Sequence, residues 1–166
     1  MSREKLLQGL ERPLLQDIYT RNTSISFAEH FDPKIPNQML NIQIRNSIKD
    51  VSMLKGDSGQ KILRVAIDVG VRFTDVNKNQ KAQDDANATG EDDLKVEILG
   101  LFIADYLIVR DDIAGNVLEE FAKSDALFAV WPYWREFVNS ACLRARLPAL
   151  VLPLPAIGEQ PSNSPN

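Results

Sequence analysis

One cysteine, Cys142, and one histidine, His30, are all that 166 residues offer to thiol or imidazole chemistry. A lone thiol cannot close an internal disulfide, so packing alone must hold the fold, and a reducing cytosol is the expected compartment. The chain has no His/Cys cluster at metal-ligand spacing, no glycine-rich phosphate loop and no nucleophile-elbow motif. His30 stands beside Phe31 in a proline-bounded loop, and Cys142 falls on the apolar side of a helical pattern. Both read as structural residues and not as catalytic ones. No stretch approaches the roughly 20 apolar residues of a membrane span. The opening MSREKLLQGLERP sets charges on both sides of Leu6, Leu7 and Leu10, so it lacks the unbroken apolar core of a secretory signal. Positive charge is also scarce: 19 Lys and Arg against 23 Asp and Glu leave a net charge of −4. A nucleic-acid or anionic-membrane surface needs clustered cations, which argues against both as partners. The expectation is a cytoplasmic protein that is not an enzyme and holds neither cofactor nor metal.

What the sequence has is alternation. The 44% hydrophobic content of the chain is enough for one domain with a real core. Ile18 to Phe31 reads as a strand with Ile25 and Phe27 on one face and Ser24, Ser26 and Ala28 on the other. Met39 to Val51 alternates Leu40, Ile42, Ile44 and Ile48 with Asn41, Gln43, Arg45, Ser47 and Lys49. Leu63 to Phe73 repeats the pattern with Leu63, Val65, Ile67, Val69, Val71 and Phe73. One wet and one dry face belong to an antiparallel sheet. Leu94 to Val109 starts in the same way, but Leu99, Leu101 and Ile103 make its second face apolar as well.

Between the strands, HFDPKIPNQ is a loop on account of its two prolines, and Phe31 and Ile35 within it either cover a core edge or line a groove. LKGDSGQ is a turn. Residues 75–93 are expected to form a long mobile hairpin loop; Asp84, Asp85, Glu91, Asp92 and Asp93 lack the alternating spacing of a calcium loop and read as solvated. Residues 1–16, with leucines at 6, 7, 10 and 14, are expected to be a loosely packed arm or a short partner-binding helix. Residues 158–166 are expected to be a disordered tail, which leaves one domain over 17–157.

Asp125 to Ile157, DALFAVWPYWREFVNSACLRARLPALVLPLPAI, organises the rest. Trp131, Trp134, Val138, Ala141, Cys142 and Ala145 recur at helical spacing, and Arg135, Asn139, Arg144 and Arg146 fall elsewhere. Ser124 or Asp125 is a candidate N-cap, and Pro132 demands either a helix start about a turn earlier or a kink. After Pro148 the prolines forbid both helix and central strand, so LPALVLPLP must lie extended on a surface. The fold class is α+β: a four-stranded antiparallel sheet with a long C-terminal amphipathic helix packed on one face. Four strands span about 20 Å, and one helix is about 10 Å across, so apolar sheet remains for other copies or other chains to cover.

Trp131-Pro132-Tyr133, the pair Arg135 and Glu136, the basic end of the helix and the LP-initiated apolar run together resemble the C-terminal part of the SecB family of export chaperones. IYTRNTSISF, from Ile18 to Phe27, resembles that family's first strand, and GLF at Gly100 to Phe102 the centre of its last. The resemblance implies an ATP-independent holdase that keeps unfolded or unfinished polypeptides in apolar grooves, and a homotetramer built as a dimer of dimers. By position it implies client contact at Phe31, Ile35, Leu40, Ile42 and Ile44. It implies contact between copies at Val96, Ile98, Trp134, Val138 and Cys142. The family's acidic docking positions for the motor SecA correspond to Ser24, Ala28 and Lys95, and its last helix is missing from the tail GEQPSNSPN. Two alternatives therefore stay open: a SecB-like chaperone dedicated to one client such as an antitoxin, and an oligomeric interaction protein without chaperone activity.

Overall fold

Alternating branched residues become four long strands in the computed structural model, which describes residues 13–36, 38–76, 94–109 and 112–155. The loop expected over 75–93, apart from its first two residues, and the expected tail lie outside these, as do residues 1–12 of the expected arm. The strands are β1 (Leu14–Phe27), β2 (Leu40–Lys55), β3 (Lys61–Asp75) and β4 (Leu94–Ile108). They form one sheet in the order β1-β4-β3-β2, each pair antiparallel. β1 begins at Leu14, inside the stretch expected to be an arm, because Leu14 and Leu15 pair with Leu107 and Tyr106 of β4.

Register puts the dry faces in line. Ile42, Phe73, Val96 and Phe27 share one cross-strand row, and Ile44, Val71, Ile98 and Ile25 the next. β2 carries a shift between Ile48 and Asp50 that returns Val51 and Met53 to the same face. The period-2 pattern alone does not reveal such a bulge. On the opposite face Arg45–Asp68, Arg64–Asp105 and Arg72–Glu97 form cross-strand ion pairs at 3.1, 2.7 and 2.7 Å.

The pattern predicts a short helix around Val117 to Ala122, after Gly115, ahead of the long one, and the structure joins the two into one helical path. α1 (Gly115–Phe121) runs through a π-helical turn, Ala122–Ala126, into α2 (Leu127–Arg144). Neither Ser124 nor Asp125 caps a helix start. The hydroxyl of Ser124 donates to the carbonyl of Glu120 at 3.0 Å, one turn back, and the backbone continues past it. Pro132 lies inside α2, with its ring on the exposed side. From Gly115 to Arg144 the path is about 45 Å, close to the length of a fifteen-residue strand. Phe121 meets Tyr106 edge to face, and Trp134 meets Phe102 further along, so the helix runs against the direction of β4.

Close contact at the middle depends on Gly100. A Cβ there would lie 2.9 Å from both Phe102 and Trp134, so only glycine lets the indole sit on the strand. Val96, Ile98, Trp134, Val138 and Cys142, expected at contacts between copies, are each 0% exposed within the single chain. Within the protomer Trp134, Val138 and Cys142 of α2 and Val96 and Ile98 of β4 belong to one core cluster. The large apolar side chains exposed on α2 are Tyr133 and Leu143.

The helix ends in a left-handed Arg146 at φ 58, and the amide of Leu147 donates to the carbonyl of Cys142 at 2.9 Å. That is a Schellman closure with a non-glycine residue at its αL position. Residues 148–155 then run extended. Leu152 and Pro155 are buried, and Val151 and Leu154 are exposed.

Candidate functional site

The connection from β1 to β2 must travel from one edge of the sheet to the other, past the ends of β4 and β3. It is held there by backbone bonds at both sides. The amide of Ala28 donates to the carbonyl of Lys95 at 2.8 Å, and that of Val76 to the carbonyl of Met39 at 3.3 Å. Within it the amide of Phe31 donates to Ala28, and that of Ile35 to Asp32. The Asp32 carboxylate accepts from the amide of Lys34 at 2.9 Å, a local turn that suits aspartate between proline-containing segments. The result is a short platform whose apolar side chains cannot all turn inward.

Those side chains open onto a cavity of about 180 Å³ lined by Phe31, Pro33, Ile35, Gln38, Leu40, Leu147 and Pro148. A dry cavity of about 150 Å³ accommodates one benzene ring, so this space is large enough for one bulky apolar side chain. Three of the five residues expected to touch a client, Phe31, Ile35 and Leu40, are brought together here. Phe31 does double duty: it packs against the core and faces the cavity, so both readings of that loop residue apply to it. Ile35 is exposed.

Ile42 and Ile44 do not line the cavity. They continue from Leu40 along β2 on the dry face, 40% and 38% exposed, where the edge strand projects beyond α2. At the other edge Ile25 and Phe27 of β1 are open to a similar degree, and Phe27 stacks on Phe31 with centroids 6.3 Å apart. Apolar surface therefore runs from Phe27 through the cavity to Ile44.

Leu147 and Pro148, which close the cavity from the helix side, were not among the expected client residues, nor were Pro33, Gln38 and Phe27. Their signal in the sequence is the LP after the basic helix end. Only the topology brings it beside a loop more than a hundred positions earlier. The indole N–H of Trp131 donates to the carbonyl of Pro153 at 2.6 Å and fastens the extended segment beyond it.

Electrostatically the cavity is quiet. The groups with displaced ionisation lie elsewhere: burial pushes the Cys142 thiol up, and burial followed by the Asp125 charge pushes Tyr106 up to about 12. Arg64 is held further toward its charged form, first by its hydrogen bonds to Asp105, on the face away from the cavity. Among the described residues no group of three or more His, Cys, Asp or Glu is placed to hold a metal ion. No helix among them is long and apolar enough to cross a membrane. The arrangement offers burial of apolar side chains, and the described residues of its lining include no nucleophile or acid–base pair.

No protein-family model matches this sequence, and no curated protein matches it. Among solved structures, the chain is similar to the Mycobacterium tuberculosis Rv1957 SecB-like chaperone in complex with a ChAD peptide from the Rv1956 HigA1 antitoxin. The TM-score is 0.62 at 20% identity, over 95% of this chain and 100% of that one. The fold is the SecB-like one: a four-stranded antiparallel sheet with one long C-terminal helix on its dry face.

Proposed function

We propose that this protein is an ATP-independent holdase chaperone that binds unfolded or unfinished polypeptides along the apolar strip from Phe27 through Phe31, Ile35 and Leu40 to Ile42 and Ile44. The observation that supports it is the open cavity of about 180 Å³ at the crossover loop, lined mostly by apolar residues and next to an exposed apolar strand edge. Binding draws on burial of client side chains, at about 1.5–3 kcal/mol for a large one fully buried, so many weak contacts add without strict sequence demands. No bond is made or broken, and neither nucleotide nor metal takes part. Copies of the chain associate through the rest of the uncovered apolar surface as a tetramer in the cytoplasm, with Tyr133 and Leu143 of α2 facing the neighbour around the buried Val96, Ile98, Trp134, Val138 and Cys142.

A second reading, a chaperone dedicated to an antitoxin, is favoured by the similar chaperone, which was solved with a peptide from one. The acids on the outer sheet face point the same way. Asp68, Asp105 and Glu97 are each engaged by an arginine, and Ser24, Ala28 and Lys95 stand where SecA docking would need acids. Delivery to SecA is accordingly no part of the proposal.

The test is turbidity of an unrelated unfolded protein diluted from denaturant, without nucleotide. The chaperone suppresses aggregation, and Leu40→Asp or Ile42→Asp weakens suppression by about tenfold, because a carboxylate in the strip must be desolvated, while mass is unchanged. Variants that hold clients as well as the native chain would remove this strip as the site. A protein that suppresses nothing would leave the reading of a passive interaction protein.

A further inference from the structure

We propose that Gln38 is the positioning residue of this cavity: its side-chain amide holds the crossover loop in the shape that presents Phe31 and Ile35 opposite Leu40. The inference rests on the client-holding reading above and names a residue whose task is geometry and not contact area.

Among the described residues of the lining, Gln38 is the one with a polar side chain, beside Phe31, Pro33, Ile35, Leu40, Leu147 and Pro148. Its presence there needs a reason. A primary amide carries two N–H donors, and both are spent on the same short turn. Nε2 donates to the carbonyl of Asp32 at 2.6 Å and to the carbonyl of Ile35 at 3.0 Å. Those two carbonyls bracket the turn that is closed from within by the amide of Ile35 on Asp32 and by the amide of Lys34 on the Asp32 carboxylate. Gln38 therefore ties the middle of the loop to the chain just before β2, whose first residue, Leu40, forms the facing wall.

Without that tie the loop keeps its outer anchors, Ala28 to Lys95 and Val76 to Met39, so the sheet is unaffected. What it loses is the fixed separation between the Phe31–Ile35 side and the Leu40 side. A loop with three apolar side chains and slack in its middle folds them onto each other, and the cavity closes. The amide holds the cavity open before a client arrives, which lowers the ordering cost on binding.

The test is a fluorescence-anisotropy titration with a labelled, reduced and carboxymethylated α-lactalbumin, which stays unfolded, against the native protein, Gln38→Ala, Gln38→Glu and Leu40→Asp. Gln38→Glu keeps the size of the side chain but replaces the donating nitrogen by an oxygen that faces two carbonyls. The expectation is that Gln38→Glu binds at least as weakly as Gln38→Ala. Both should fall about tenfold below the native chain, as two ordinary hydrogen bonds imply, with melting midpoint and mass unchanged. Native affinity in Gln38→Glu, with Leu40→Asp impaired, overturns the bracing role and spares the groove. Affinity that falls only in step with the melting midpoint also overturns it, since the amide then serves global stability. Native affinity in Leu40→Asp overturns the groove reading itself.

Discussion

Tyr106 carries a hydroxyl that finds no hydrogen-bond partner among the described residues, although the side chain is 3% exposed. Its ring is held edge-on by Phe121, with centroids 4.8 Å apart, so packing fixes a polar atom in a place that offers it nothing. Burial first, and the Asp125 charge second, push its ionisation from the ordinary 10 up to about 12. The unfolded chain then gives up that proton before the folded one does. Below about pH 10 the group leaves stability unchanged, and from there to about pH 12 it removes about 1.4 kcal/mol per pH unit. Tyr106→Phe is expected to flatten that alkaline limb. It should also raise stability at neutral pH by about 1 kcal/mol by removing the unpaired hydroxyl. Urea unfolding of both proteins across the alkaline range checks both effects; parallel curves for the two would contradict the assignment.

At the scale of elements, the strands were legible because one face is dry, and a period of two survives wherever register is unbroken. Ile42, Ile44, Val65 and Val69 announce their face from sequence alone. The bulge at Ile48 to Asp50 does not, because an inserted residue looks like a lapse in the pattern. The helix was legible from the Trp131 to Cys142 spacing, but its start was not. Ser124 has the chemistry of a cap, and whether it caps or bonds back to Glu120 depends on whether Ala122 and Ala126 find a core to bury in, which they do. The extended segment 148–155 was legible as a strap by its prolines, without its fastening. Among the bonds described, the strap is tied down by the Trp131 indole alone. Trp131→Phe, which keeps the ring on the core, is therefore expected to speed exchange of the amides of Ala149, Leu150, Val151, Leu152 and Leu154 by about fivefold to tenfold and to cost about 1 kcal/mol. Exchange in α2 should stay slow. Unchanged protection of the strap would mean that burial of Leu147 and Leu152 holds it without the bond.

For the whole molecule, the width of a four-stranded sheet against one helix is the deciding quantity, and it follows from strand count alone. α2 covers β3 and β4, whose dry faces are fully buried, and leaves the two edge strands with Ile25, Phe27, Ile42, Ile44 and Met53 open. The candidate site was only half legible. Phe31, Ile35 and Leu40 belong to one stretch and could be grouped from sequence. Gln38, Leu147 and Pro148 join them only because the crossover loop and the helix end arrive at the same end of the sheet. The resemblance implies a contact between copies at Val96 and Ile98; within one chain both are already fully buried, so a neighbouring copy would meet the side chains around them. Apolar surface left open in this way is expected to be shared between sister copies and clients. Light scattering of the purified chain at micromolar concentration tests that claim most directly. A mass of four chains is predicted, and a stable monomer that remains soluble would contradict it.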